Sequence, residues 1–436
     1  MRILFITASY LPDSVGGVEL HIAGLVRALG AAGHQCTVVC RNGAGSAAHL
    51  SVTRDRHEGA DVVRIGNTFE DATSLRSLYA HEGLAEIVMG VVEEVAPDVC
   101  HVHHLTCLST AILDGLAQRG VPTVMTLHDF WMGCPRGQRI TAALDVCPEV
   151  NLDKCVPCLR ELWPHLLGPG CAPESSTEEQ LSRDRALLDD YHSHILSSLN
   201  RVDVLVTPSA FMARKFEEYG LPQGSVAVVE NGLPTADYAG ARRPSAGAPL
   251  RIGFIGSVLP SKGVHLLLEA FRQLGGDGDV RLDVWGEVLP FHNDRNYGER
   301  LQALCEGFEA SITLRGAYDN SQLPAILATL DVVVVPSLWY EAFCLTIREA
   351  FLAGAAVITA NHGAMAEAVE DGVTGLLFEP GDVGSLTAAL RRMIDDSNLR
   401  QRLSQCAAPV RDELQCAHEL MGIYTRLSGT LQETNG

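Results

Sequence analysis

The chain of 436 residues has no apolar run approaching the length of a membrane span. The longest candidates, Val332–Pro336 and Ala350–Ala360, read as a buried strand and a buried helix. The opening Met1–Ile6 reads as a strand too short for the apolar stretch of a secretion signal, and a cytoplasmic location is expected. Positive charge is scarce. Lys and Arg number 33 against 53 Asp and Glu, a formal charge of −20, which argues against nucleic acid and against general adhesion to anionic membranes. A local basic patch stays open, because Arg183, Arg185, Arg201, Arg214 and Lys215 lie close together. The 13 cysteines are an odd number, and many for a secreted disulfide framework of this size. In a reducing compartment most would be buried thiols or metal ligands. What is present, 47% hydrophobic and 20% charged residues, is a globular composition, and the length allows two or three domains with full cores.

Apolar segments alternate between strand and helix patterns. In the first half the expected order is strand Ile3–Thr7, helix Glu19–Ala32, strand Gln35–Cys40, helix Leu84–Glu94, strand Val99–His103, helix Ser109–Arg119 and strand Pro122–Leu127. Such alternation predicts an α/β parallel sheet with helices on both faces. From about 133 to 173 the periodicity fails and Cys, Pro and Gly take over, which marks an insertion. Helix Glu178–Leu199, strand Val202–Thr207, helix Ala210–Tyr219 and strand Val226–Val229 complete a first domain over 1–240. Leu233–Leu250, with three prolines, reads as a linker. The pattern restarts at Arg251–Ile255 and repeats through Ala356–Thr359, giving a second Rossmann-like domain over 250–409. Two such halves would face each other across a cleft, since ligands lie at the carboxyl ends of strands in open α/β sheets.

Glu341 and Glu349 stand eight residues apart, just after the apolar strand Asp331–Pro336 and at the mouth of an apolar helix. The first is expected in the loop and the second about one turn inside the helix. A helix N-terminus offers free N–H groups and partial positive charge, which favour a diphosphate. Carboxylates do not bind phosphate, so their targets are hydroxyls, a sugar's for Glu341 and a ribose's for Glu349. Gly256 through Gly263 adds two glycines that let backbone approach phosphate and one mobile charge, Lys262.

The Glu341/Glu349 pair resembles the Glu-x7-Glu motif of retaining glycosyltransferases with two Rossmann-like domains, the GT-B fold, and more narrowly of glycosyltransferase family 4. Gly16-Gly17-Val18-Glu19 after the first strand, Glu230-Asn231-Gly232, and Gly256-Ser257-Val258-Leu259-Pro260-Ser261-Lys262-Gly263 agree in order over nearly the whole chain. The resemblance implies a nucleotide diphospho-sugar donor, with a UDP-sugar the first choice and a GDP-sugar the second, and a hydroxyl acceptor in polysaccharide, glycolipid or natural-product biosynthesis. Donor binding is expected from Gly16, Gly17, Gly256, Ser257, Lys262, Gly286, Glu341, the backbone of Ala342, Phe343, Cys344 and Leu345, and Glu349. Catalytic roles are expected for His128, Lys262 and Glu341, with His128 near the reacting sugar carbon. Many members carry arginine where Ser257 stands, so Lys262 or Arg348 would compensate more of the charge. Asp283, Trp285 and Gly286 end a strand expected to face the same ligand, and of His101 and His103 one is expected to line the site while the other packs. The helix within 410–436 would cross back to the first domain.

The family's retention of anomeric configuration is ascribed to attack on the face from which the diphosphate leaves, with the leaving phosphate taking the proton. No catalytic cofactor or metal is then required. The Asp-x-Asp triplet of metal-dependent transferases has one counterpart, Asp277-Gly278-Asp279, and it precedes a strand instead of following one.

Cys134, Cys147, Cys155 and Cys158 fall within the insertion, the last two as Cys-x2-Cys. Four thiolates in a loop-rich segment are what a structural zinc requires, with Cys171 in reserve. Free thiols, disulfides and an iron–sulfur cluster are the alternatives. Two other functions are open: a nucleotide-sugar epimerase of similar architecture, and a non-catalytic nucleotide-sugar-binding protein.

Overall fold

The computed structural model describes residues 1–43, 47–167, 177–240, 249–275, 279–292 and 294–434. The chain divides into two compact units, one made of Met1–Gln138, Cys147–Gly232 and Arg411–Gly436, the other of Arg139–Val146 and Leu233–Val410. Each is built on a parallel sheet.

The first sheet has eight strands: β1 (Arg2–Thr7), β2 (Gln35–Arg41), β3 (Val52–His57), β4 (Ala60–Ile65), β5 (Val99–Val102), β6 (Thr123–Thr126), β7 (Val204–Thr207) and β8 (Val226–Val228). Their order is β3-β4-β2-β1-β5-β6-β7-β8. Only β3 is antiparallel, running back along β4. Central strands covered on both faces need apolar side chains throughout, and Ile3 to Ile6 of β1 are fully buried. The register sets Ile3 beside Cys36 on one side and Val99 on the other. The pair β3 and β4 is absent from the sequence expectation because β3 is polar and exposed along its length. Its signal is instead the turn Glu58-Gly59, both at positive φ (51° and 91°), which suits a tight hairpin.

The second sheet has six strands: β9 (Leu250–Ile255), β10 (Val280–Trp285), β11 (Ile312–Gly316), β12 (Val332–Val335), β13 (Ala356–Ala360) and β14 (Leu376–Phe378). The order β11-β10-β9-β12-β13-β14 is parallel throughout. The four consecutive valines of β12 are buried at the centre. Gly253 in β9 leaves the space that the Leu330 side chain fills.

The helix Glu413–Thr434 belongs to the first unit and packs on the helix Gly17–Ala31. Cys416, Leu420 and Tyr424 are buried in one core with Ile22 and Val26. Gly232 is required beneath it, because any side chain there would run into the backbone of Asp412 and Glu413.

The insertion is less irregular than its composition suggests. It contains the helix Leu152–Leu162, capped by the Asn151 side chain and carrying Cys155 and Cys158 around Pro157. Residues 139–146 group with the second unit, and Ile140 and Val146 pair there in an isolated bridge. Among the described residues, no helix is long and apolar enough to cross a membrane.

Candidate active site

In the second unit, the loops after β9 and β10 meet. Gly256 and Gly286 both take positive φ (134° and 143°), and a Cβ on Gly286 would strike the Gly256 carbonyl oxygen. Only glycine permits that approach. The β9 loop then makes a single 3-10 turn, Pro260–Lys262, and ends at Gly263 with φ 71°. A side chain on Gly263 would collide with the carbonyl of Pro336, so the loop is held tight against the end of β12.

This contact brings Lys262 to Glu341, with Nζ 2.6 Å from Oε1. The same oxygen accepts from Ser337 Oγ at 2.7 Å and Trp339 Nε1 at 2.9 Å. Lys262 Nζ also lies 5.1 Å from the Trp339 ring centroid, close enough for a cation–π contribution. Burial acts to raise the Glu341 carboxyl, but the ammonium and the two hydrogen bonds outweigh it and hold the group below the usual carboxylate range. Glu341 is thus ionised at neutral pH, and Oε2 carries none of these three bonds. No motif in the sequence points to Ser337 or Trp339; they are found only because the turn before Glu341 folds them onto it.

The helix Leu345–Ala353 follows. Its N-cap, Cys344, is buried in the left-handed region (φ 60°), and no side chain caps the end. The amides there are available to an anion. Strained backbone of this kind clusters at functional sites. Burial, followed by the Glu341 charge, pushes the Cys344 thiol up to about 12, so it is no nucleophile. Arg348 donates to the Phe343 carbonyl and stacks over the Phe343 ring, with Cζ 3.8 Å from its centroid. Glu349 has no ion pair among the described residues, and burial alone raises its carboxyl to about 7. Ser257 is exposed. Asp283 is buried and held by Arg315 Nε at 2.8 Å, with Arg251 at 3.7 Å. Its carboxylate serves those arginines, contrary to the expectation that it faces a ligand.

In the first unit, Gly16 is the extended N-cap of the helix Gly17–Ala31 (φ −143°). The pair Gly16-Gly17 owes its place to room. A Cβ on Gly16 would lie 2.7 Å from Glu19 Oε2, and the buried Glu19 side chain folds back here to accept from Ser9 and, at 3.1 Å, from Ser14. His128 follows β6 and is buried, with Nε2 2.8 Å from His103 Nδ1 and the two rings stacked. Burial first, then neighbouring imidazoles, drives His128 well below its usual value, so it is neutral. His21, unmarked by any motif, completes the group: ligand atoms of His21, His103 and His128 lie within 4.8 Å of one another. His101 is instead committed to Tyr424 at 2.6 Å and Thr126 at 2.7 Å, tying the sheet to the C-terminal helix. Both His101 and His103 are buried, so the expected division, one lining the site and one packing, is not seen.

Cys134, Cys147, Cys155 and Cys158 are neighbours in the first unit. Burial leads in raising Cys155 to about 11, and the charges of the other three add to it. Arg136 Nη1 donates to Cys158 Sγ at 3.5 Å. Among the described residues, no three of these sulfurs share the 4.8 Å spacing of the histidine group. Tetrahedral zinc, with each sulfur about 2.3 Å from the metal, would need them to draw closer. Cys171, Asp277 and Gly278 lie outside the described residues.

A buried glutamate paired with a half-buried lysine beside an uncapped helix end, at the carboxyl edge of a parallel sheet, with a second α/β unit in the same chain, is the equipment of a two-domain sugar transferase. Residues 15–237 match the family model described as Glycosyltransferase Family 4, and residues 241–408 the model for Glycosyl transferases group 1. The chain belongs to glycosyltransferase family 4. It is 28% identical to glycogen synthase of Mycobacterium tuberculosis over 93% of this chain and 89% of that one. It is 29% identical to a lipopolysaccharide 1,2-N-acetylglucosaminetransferase of Salmonella typhimurium over 45% of this chain and 54% of that one. Among solved structures it resembles Anabaena HepE in complex with UDP and glucose, with TM-score 0.65 at 19% identity, covering 98% of this chain and 99% of that one. Sucrose-phosphate synthase of Thermosynechococcus elongatus gives 0.70 at 18% identity, with the same coverage. At these identities the structural likeness speaks for the fold, two parallel-sheet α/β domains of GT-B type.

Proposed function

We propose that the chain moves a hexose from a nucleotide diphospho-sugar to a hydroxyl acceptor with retention of anomeric configuration and without a catalytic metal. The observation that carries this reading is the Lys262–Glu341 pair beside the uncapped end of the helix Leu345–Ala353. In it, the amides of Ala342, Phe343, Cys344 and Leu345 and the Lys262 ammonium take the diphosphate, while Glu341 Oε2 accepts from sugar hydroxyls. Glu349 accepts from the ribose, and Gly256 and Gly286 allow backbone to approach the donor. Developing negative charge on the leaving diphosphate meets fixed donors, which lowers the barrier without proton transfer to the protein. The leaving phosphate takes the acceptor's proton. His128, neutral, stands ready as a hydrogen-bonding group at the reacting carbon, and Gly16 and Gly17 leave room at the start of their helix. HepE was solved with UDP and glucose, which favours a UDP-sugar, with a GDP-sugar second.

The first unit is the acceptor side and the second the donor side, in a cytoplasmic enzyme whose Cys134, Cys147, Cys155 and Cys158 hold a structural zinc. A thermal-shift panel of UDP-, GDP- and ADP-sugars on wild type, Glu349→Ala and Lys262→Ala tests the donor site. Stabilisation by one nucleotide class, lost in both variants, is expected. No response from folded wild type to any of them would contradict it.

A further inference from the structure

A cavity of about 650 Å³ opens in the first unit. Its floor is the end of β1, at Thr7, Ala8 and Ser9, together with His104 and Thr106 after β5. This is where the sheet order reverses, since β1 has β2 on one side and β5 on the other. Open parallel sheets receive ligands at such a switch point, and the volume is that of a small-molecule site.

Its walls are mainly apolar. Leu75, Leu78 and Tyr79 come from one short helix, and Trp131, Trp163 and Leu166 from the segments around the cysteine insertion. Several polar groups on the lining are engaged in hydrogen bonds within the protein, while buried Thr106 Oγ1 has no partner among the described residues. Glu19 accepts from Ser9. His104 Nε2 donates to Asp129 Oδ2 at 2.9 Å, its Nδ1 accepts from Thr106 N at 3.0 Å, and Asp129 Oδ1 accepts from Trp131 N at 2.8 Å. Arg136 donates to Cys158. A sugar chain bound here would bury several hydroxyls with few partners to meet them, whereas a ring with one hydroxyl would not.

We propose that this cavity receives the acceptor, and that the acceptor is a small apolar ring compound bearing a hydroxyl, not an oligosaccharide; the assignment rests on the transferase reading above. The cysteine insertion sets the choice. Trp163 directly follows the helix that holds Cys155 and Cys158, with Leu166 three residues on, and Pro135, Arg136 and Gly137 directly follow Cys134. Whatever binds the thiols therefore fixes two walls of the acceptor site.

The test is titration of the full chain with umbelliferone, a hydroxylated bicyclic aromatic, and with maltotriose, while nucleotide-sugar stabilisation is followed in parallel. Umbelliferone is expected to bind and maltotriose not to. Leu78→Trp, which fills the cavity, and Trp163→Ala, which strips a wall, should each weaken umbelliferone at least about tenfold. Donor stabilisation should stay as in wild type, which also shows that the variants fold. Intact donor binding with maltotriose preferred, or with neither compound bound, would overturn the proposal. Umbelliferone binding that both folded variants retain would do so as well. Absence of donor stabilisation is read separately, as failure of the transferase reading.

Discussion

Glu349 and Glu341 share a motif and differ in their partners and in the direction of their pKa shifts. Lys262, Ser337 and Trp339 keep Glu341 ionised, while half-buried Glu349 has no ion pair among the described residues and desolvation raises its carboxyl to about 7, above the usual 4.5. Two consequences follow at this single residue. Because the folded-state pKa is raised, the folded protein holds the proton more tightly than the unfolded chain. Stability is then full below the ordinary value and declines as pH rises toward about 7. Ribose hydroxyls donating to the carboxylate favour its ionised form, so donor affinity should be greatest above about 7 and weaken as pH falls through it. Calorimetric titration with the nucleotide at about pH 6 and pH 8 checks this. Wild type should bind more weakly at the lower pH, and Glu349→Gln should respond little to pH. The same variant, without ligand, should melt higher than wild type at about pH 8. A wild-type affinity independent of pH would remove Glu349 from the ribose.

At the scale of elements, the loop after β9 depends on Gly263. Its positive φ and its packing against the Pro336 carbonyl leave no room for a side chain. Gly263→Ala should cost roughly 1–3 kcal/mol and lower the melting temperature by several degrees. It should also weaken donor binding, because Lys262 is carried by the same turn. Gly275→Ala is the control, with a similar φ of 83° but open space around it. Equal effects in the two would mean that backbone strain alone, and no loop contact, explains Gly263.

Elements with strong local signals were legible in the sequence. Thr177, which forms a capping box with Gln180, and Ser209, which caps through Met212 N, mark the starts of the helices Glu178–Leu199 and Ala210–Tyr219. The valines of β12 announce a central strand. Elements stabilised by distant contacts were not legible: β3 is polar because it is an exposed edge, and the helix Leu152–Leu162 carries an internal proline. The same division holds in the site. Glu341, Lys262 and the glycines stand in recognisable spacing, but Ser337, Trp339 and His21 act through tertiary placement that no spacing encodes.

On the scale of the whole molecule, each unit has its own sheet and core, and the chain returns at Arg411–Gly436 to finish the first. Tyr424 and His101 join that last helix to β5. The insertion adds a metal question that bears on the whole chain. Purified protein should carry close to one equivalent of zinc, and its removal by a chelator should lower the melting temperature, since metal binding contributes folding free energy. Zinc below about a tenth of an equivalent, with no iron, would rule out the metal site.

The central claim is that Glu341, held by Lys262, addresses the donor sugar. The most direct measurement is steady-state transfer by Glu341→Gln beside wild type, with secondary structure checked by circular dichroism. Glutamine keeps an acceptor oxygen for Ser337 and Trp339 but loses the charge that pairs with Lys262 and draws the sugar hydroxyls. A fall in kcat on the order of a hundredfold, in a folded protein that still binds the nucleotide, is expected. Turnover near that of wild type would contradict the account.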